Sequence, residues 1–248
     1  MPQIPPQMIE RPYRVIDTRM ISDIDLELTV EPIDPANRIQ NPSAGQWVYL
    51  GIPNPDKTLW ARSAYSIVNP PDDCVRTGRI VFAIRKSGDF TQRVFALTKD
   101  DHVIIQGPFG VFTPKAEDAG RVFIAGGIGI SPLHCMILDM DESGIIPSAL
   151  LYSAKNPKEL PYHERFLERA KQDPSFSYHP TCTRINSQED AWDGAIGRIN
   201  QKTIEESVTN PKGASYYICG PKKFLEEISE TLRTMGVEKP YIHIERFD

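Results

Sequence analysis

Between Tyr13 and about Thr113 the apolar residues come in short runs, not in helical stripes. DLELTV (25–30), QWVYLGI (46–52), RIVFAIR (79–85) and HVIIQG (102–107) are rich in valine, isoleucine and aromatic residues, the types that suit a pleated surface buried on one side. Proline and glycine clusters, NPSAG (41–45), GIPNPD (51–56) and VNPPDD (68–73), separate the runs and read as turns. Several short strands at this spacing predict an antiparallel β-barrel or sandwich over residues 11–114. One interruption, SGDFTQRVFALT (87–98), predicts a short helix capped near Thr91.

After Pro114 the pattern changes. RVFIAGGIGISP (121–132) reads as a buried strand, a glycine turn and a helix start, with Ser131 as the expected N-cap and Pro132 as the first helical residue. SALLYSA (148–154) predicts a strand and KELPYHERFLERAKQ (158–172) a helix. YYICGPKKFLEEISETLRTMG (216–236) repeats the strand–turn–helix unit, and YIHIERF (241–247) closes as a strand. Strands alternating with helices predict a parallel-sheet α/β domain over 115–248. The shift in composition lies near 115–120, while residues 1–10 are proline-rich and expected to be loose.

Composition narrows the chemistry. The 248 residues are 40% hydrophobic and 25% charged, the balance of an ordinary globular protein. No stretch approaches the roughly 20 apolar residues of a spanning helix. The N-terminus has neither the basic nor the apolar region of a secretory signal, so no membrane role and a cytoplasmic location are expected. A net charge of −5 without a basic cluster argues against nucleic acid as the partner. Cys74, Cys135, Cys182 and Cys219 are tens of residues apart. No metal site or iron–sulfur ligand spacing is encoded, so any redox centre is expected to be a bound organic cofactor.

Two segments carry candidate chemistry. The glycine turn Gly126-Gly127-Ile128-Gly129 lets backbone amides approach a ligand just before a helix N-terminus, a seat for a pyrophosphate. Its G-G-x-G spacing is not the G-x-G-x-x-G dinucleotide fingerprint, and a turn that merely packs helix on strand reads the same way. Arg62-Ser63-Ala64-Tyr65-Ser66 offers a guanidinium fork for a diphosphate and a hydroxyl for a ring nitrogen. Tyr65 is expected on the face of Arg62, where its ring could stack on a flat cofactor. A solvated arginine beside a core tyrosine is the plainer alternative.

Taken together, RSAYS (62–66), GPFG (107–110), AGGIGISP (125–132) and YICGPKKF (217–224) occur in the order and placement of one family. The chain resembles the ferredoxin–NADP reductase superfamily from about Tyr13 to its end. The resemblance implies an N-terminal antiparallel β-barrel that binds FAD and a C-terminal α/β domain that binds NADPH or NADH. It implies that Arg62 grips the FAD pyrophosphate, Tyr65 stacks on the isoalloxazine and Ser66 lies near its N5. Gly88 and Thr91 would form a second phosphate contact, and Gly107–Gly110 a turn beside the flavin. Gly126, Gly127 and Gly129 would face the dinucleotide. Cys219, with Gly220 and Pro221, would touch the nicotinamide or the flavin, and Glu245 and Phe247 match an E-x-F ending that approaches the flavin. Ser66, Cys219 and Glu245 are thus the residues expected at the reacting rings.

Cationic residues decide between the two nucleotides, because a 2′-phosphate needs positive charge where a 2′-hydroxyl suits an acid. Ser153 and Lys155 follow one strand, Thr183 and Arg184 the next, and Arg198 stands in a GRI segment. In the resembled family such residues surround the 2′-phosphate, which points to NADPH, with NADH also compatible. Solvated surface arginines read the same way. The implied reaction passes a hydride from the nucleotide to the flavin and electrons onward singly, with no nucleophile or acid–base pair in the protein. With no cysteine run in the sequence, the acceptor is expected to be a separate ferredoxin or flavodoxin-type protein or a small molecule. The alternatives are an electron-transfer subunit of a dihydroorotate dehydrogenase- or hydrogenase-like complex, and a flavin-binding regulatory module without catalysis.

Overall fold

A computed structural model describes residues 6–56, 58–143, 146–186 and 191–247. The chain forms two compact units, Met1–Thr113 with His134–Asp139, and Pro114–Leu133 with Met140–Asp248.

The first unit holds β1 (Arg11–Met20), β2 (Asp25–Pro32), β3 (Trp47–Pro53), β4 (Leu59–Ser66), the helix α1 (Pro71–Thr77), β5 (Ile80–Arg85), the helix α2 (Asp89–Phe95) and β6 (His102–Phe109). Its six strands are all paired antiparallel, in the order β4-β3-β6-β1-β2-β5. The two edge strands, β4 and β5, come into contact, so the sheet curls into a barrel. Alternate residues fill it: Tyr13 and Val15, Leu28 and Val30, Val48 and Leu50, Phe82 and Ile84, Val103 and Ile105 are all buried. The buried Tyr13 hydroxyl accepts a hydrogen bond from the Ile39 amide at 2.9 Å. Asp25, fully buried, receives both arms of the Arg85 guanidinium at 2.8 Å.

Two expectations fail here. VNPPDD is not simply a turn, because Pro71 opens α1 with Asp72 and Asp73 in its first turn and Gly78 closes it at φ +73°. A proline at the first helical position and a left-handed glycine at the end are compatible with a helix, not opposed to it. The second helix is capped by Gly88, not by Thr91, which lies inside it.

The second unit holds β7 (Arg121–Gly126), the two ends of α3 (Ile130–Ser143, whose His134–Asp139 stretch groups with the first unit), β8 (Ser148–Ala154), α4 (His163–Gln172), β9 (Phe176–Cys182), β10 (Ala195–Ile196), α5 (Gln201–Ser207), β11 (Ser215–Cys219), α6 (Lys222–Thr234) and β12 (Ile242–Glu245). The strands are all parallel, in the order β10-β9-β8-β7-β11-β12. Every residue of β7 and β11 is buried, as expected for central strands covered on both faces. α6 lays Leu225, Ile228 and Leu232 on the sheet with helical spacing. The helix after β7 starts earlier than expected. A 3₁₀ turn over Gly127–Gly129 runs directly into α3 at Ile130, and the Ser131 hydroxyl donates to the Ile128 carbonyl at 2.8 Å instead of capping the helix. The fourth helix is also shorter than its periodicity predicts, beginning at His163 after Tyr162 turns left-handed. Among the described residues no helix is long and apolar enough to cross a membrane.

Candidate functional site

In the first unit the candidate residues lie on the edge strand β4 and the turn before α2. Tyr65 does not share a face with Arg62. They are three residues apart, and the register sets Arg62 against Gly51 and Tyr65 against Val48, so strand alternation puts them on opposite faces. Ser66, four residues from Arg62, does share its face. Arg62 donates to the Gln106 side-chain oxygen, and its guanidinium lies 4.5 Å from the centroid of the Tyr49 ring. Gln106 in turn donates to the Met8 carbonyl at 3.0 Å. These contacts hold an exposed arginine in one orientation.

Tyr65 stacks on Phe90 at 6.1 Å between centroids, Phe90 is parallel to Trp60 at 6.2 Å, and Arg93 lies 3.6 Å over Trp60. Burial pushes the Tyr65 hydroxyl up to about 12, so the ring stays neutral. Ser66 is 4% exposed, and its Oγ has no hydrogen-bond partner among the described residues. A buried hydroxyl left this way is destabilising in itself. It is the kind of orphan a bound ring nitrogen would satisfy. Gly88 adopts φ +81° with open space where a Cβ would stand, so conformation, not crowding, calls for glycine there. Thr91 Oγ1 accepts from the Ser87 amide at 2.6 Å and donates to the Gly88 carbonyl at 3.0 Å. Its hydroxyl thus fixes the turn, leaving backbone amides as the groups available to a phosphate.

In the second unit the strand order reverses at β7 and β11: β8, β9 and β10 extend to one side and β12 to the other. Ligands of open α/β sheets bind at the carboxyl ends of strands beside such a reversal. The two turns there are pressed together. A Cβ on Gly129 would stand 2.4 Å from the Cys219 carbonyl oxygen, and one on Gly220 would stand 3.1 Å from Gly126 Cα. One on Gly126 would meet Pro221 and Phe224 at 3.1 Å. Gly127 is left-handed at φ +55°, and its carbonyl accepts from the Tyr152 hydroxyl at 3.0 Å. The glycines thus let the two turns pack backbone to backbone at the carboxyl ends of β7 and β11.

Cys219 is fully buried, and burial, then the nearby Glu245 charge, pushes its thiol well above the ordinary range. It is a small, neutral, unreactive side chain. Glu245 pairs with Cys219 across β11 and β12, and burial raises its carboxyl. Phe247 lies beyond β12 and is 48% exposed. Along the same carboxyl edge Ser153, which pairs with Gly126, is half-buried in β8, while Lys155, Thr183, Arg184 and Arg198 are more open to solvent. The Arg184 amide donates to the Lys155 carbonyl at 2.7 Å, which joins the ends of β8 and β9. Arg198 is held by Glu227 at 2.6 Å.

Comparison with known proteins matches part of this chain to a family. Residues 123–230 match the oxidoreductase NAD-binding domain family. Along the sequence, the phenol hydroxylase P5 protein of Acinetobacter pittii is 33% identical over 209 residues, which cover 82% of this chain and 57% of that protein. A component of the Na(+)-translocating NADH-quinone reductase of Psychrobacter cryohalolentis is 29% identical over 201 residues, 74% of this chain and 48% of that protein. The chain therefore spans about half the length of these relatives. Among solved structures, the flavohem-like FAD/NAD binding domain of nitric oxide dioxygenase from Vibrio cholerae superposes with a TM-score of 0.84 at 17% identity, over 96% of this chain and 98% of that one. A ferredoxin NADP+ reductase from Neisseria gonorrhoeae, solved with FAD and NADP, superposes with a TM-score of 0.77 at 18% identity, over 96% and 99%.

The chain has the two-domain fold of the ferredoxin–NADP reductase superfamily.

Within this superfamily fold, the sequence left several supporting residues unread. Phe90 and Arg93 flank Thr91 at helical spacing and Trp60 precedes Arg62 by two, so the ladder under Tyr65 had a local signal. Gln106 and Glu227 had none, because each meets its partner across a long stretch of chain.

Proposed function

We propose that this protein is a flavin-dependent reductase that oxidises NAD(P)H and passes electrons to a separate acceptor. The barrel, residues 11–114, holds FAD, and the α/β domain, residues 115–248, holds the dinucleotide. The observation that carries this reading is Ser66, a buried hydroxyl without a partner on the strand that also bears Arg62 and Tyr65. The match of residues 123–230 to the oxidoreductase NAD-binding domain family and the closely packed glycine turns after β7 and β11 support it. Bound FAD would supply the chemistry, accepting a hydride and giving up electrons one at a time.

The protein's own residues bind and orient. Arg62 clamps the flavin pyrophosphate with help from the Gly88–Thr91 turn, Ser66 donates to its N5, and Tyr65, on the opposite face of β4, braces the strand against Phe90. Gly126, Gly127 and Gly129 admit the dinucleotide backbone, with Gly220 and Pro221 completing the cradle. Cys219 keeps a small uncharged surface beside the nicotinamide, with Glu245 next to it across β11 and β12 and Phe247 just beyond on the same edge. Ser153, Lys155, Thr183, Arg184 and Arg198 meet the far ribose. The acceptor is a ferredoxin or flavodoxin-type protein or a small molecule. The four free thiols fit a reducing, cytoplasmic setting.

Purified full-length protein should show flavin absorbance that bleaches anaerobically with NADH or NADPH. Colourless protein that takes up no added FAD would refute the reading. A sharper prediction concerns Ser66→Ala. Because the hydroxyl has no partner among the described residues, its removal should not lower the unfolding free energy. The same change should slow flavin reduction by roughly three- to ten-fold, the value of one neutral hydrogen bond. Stopped-flow reduction beside denaturant unfolding checks both halves, and an unchanged rate removes Ser66 from the site.

A further inference from the structure

Lys155, Arg184 and Arg198 stand one or two residues past the ends of β8, β9 and β10, three neighbouring strands of the parallel sheet. They therefore lie along the edge where such sheets take ligands. The three are not equivalent. Arg198 Nη1 donates to both carboxylate oxygens of Glu227, at 2.8 and 2.6 Å. Glu227 projects from α6, where Lys223 Nζ lies 3.9 Å from the same carboxylate. Among the described residues, neither Lys155 nor Arg184 has a carboxylate partner. One cation of the row is thus neutralised by an acid brought from a helix 29 residues further along the chain.

NADPH differs from NADH by a 2′-phosphate. That group is held by free N–H donors of arginine and lysine and repelled by a carboxylate beside them. We infer that Glu227 is a specificity-determining residue of the dinucleotide site: it withholds Arg198 from a 2′-phosphate, so the chain takes NADH ahead of NADPH. This rests on reading the second unit as the dinucleotide site. Arg198 and Glu227 are 65% and 42% exposed at their side chains, so the pair is screened by water. An exposed pair of this kind is worth up to roughly a five-fold change in an equilibrium, which sets the size of the effect.

The test uses the full-length, FAD-loaded protein. Calorimetric titration with NAD+ and NADP+ gives the two affinities, and turnover of NADH and NADPH with a dye acceptor gives kcat and KM. Wild type should favour NAD+. Glu227→Gln should tighten NADP+ by roughly five-fold with NAD+ unchanged, through KM and not kcat, and the gain should fade in about 0.5 M salt. Glu227→Asp, which keeps the charge, should retain the wild-type ratio. An unmoved ratio in Glu227→Gln, equal changes for both nucleotides, or a wild type that already favours NADP+ would overturn the inference alone. Wild type that binds neither nucleotide would overturn the dinucleotide-site reading, and this inference with it.

Discussion

Replacing Asp118 by alanine is expected to remove about 3–5 kcal/mol from the stability of the second unit, the usual result of stranding one partner of a buried ion pair. The Asp118 and Arg121 side chains are 2% and 8% exposed and lie 3.1 Å apart. The same carboxylate oxygen, Oδ2, accepts from the Tyr217 hydroxyl at 2.8 Å and from the Lys115 amide at 3.0 Å. Arg121 also donates to the Lys115 carbonyl at 3.0 Å. One carboxylate therefore fastens the first turn of the unit to two of its central strands, and alanine leaves a buried guanidinium without its anion.

The pH dependence of Asp118 has a definite sign. Burial, the largest single influence, pushes its carboxyl up, but hydrogen bonds from Ser215, Tyr217, Lys115 and Arg121 together outweigh it and hold the carboxyl below its ordinary value. A carboxyl depressed in the folded state adds stability that is complete above the ordinary carboxylate pKa of roughly 3.9 and is lost as pH falls through the folded value. The gap between wild type and Asp118→Ala should therefore be full at neutral pH and narrow in acid. Calorimetric unfolding of both proteins across that range checks it. A gap that stays constant, or coincident transitions at neutral pH, would show that Asp118 does not hold the unit together.

The two-unit plan was legible because its physics is local. Six consecutive buried residues in β7, the alternation through Tyr13 and Val15, and the Leu225, Ile228 and Leu232 spacing of α6 each announce an element from within one window. The glycine turns were legible for the same reason. The error over Tyr65 was one of spacing, since three residues along a strand reverse the face. The early start of α3 came from a 3₁₀ turn that the glycines themselves form, which made a separate cap unnecessary. What could not be read was pairing at a distance. Arg62 meets Gln106 across 44 positions, Arg198 meets Glu227 across 29, and Tyr217 meets Asp118 across 99. No periodicity in a single sequence carries such partners, and they are the contacts that decide whether a candidate cation or carboxylate is available to a ligand.

Gly129 makes the strongest link between fold and proposed site, and Gly129→Ala should disable the second while straining the first. The atoms an added Cβ would meet are the Cys219 carbonyl oxygen at 2.4 Å, its carbon at 2.5 Å and the Gly220 nitrogen at 2.7 Å, all backbone. No rotamer change relieves such a clash, so the turn after β7 and the turn after β11 must separate. Overpacking of this kind costs about 1–3 kcal/mol. Because the two packed turns at this point form the proposed dinucleotide cradle, affinity for NAD+ and NADP+ should fall by at least roughly ten-fold, the factor that about 1.4 kcal/mol represents. FAD uptake by the barrel should be unaffected. Gly120→Ala provides the control within the same unit, since a Cβ there meets nothing closer than the Pro147 carbonyl oxygen at 3.5 Å. If nucleotide titration finds the two alanine variants equally competent, the crowded turn is only a packing device and the dinucleotide must bind elsewhere.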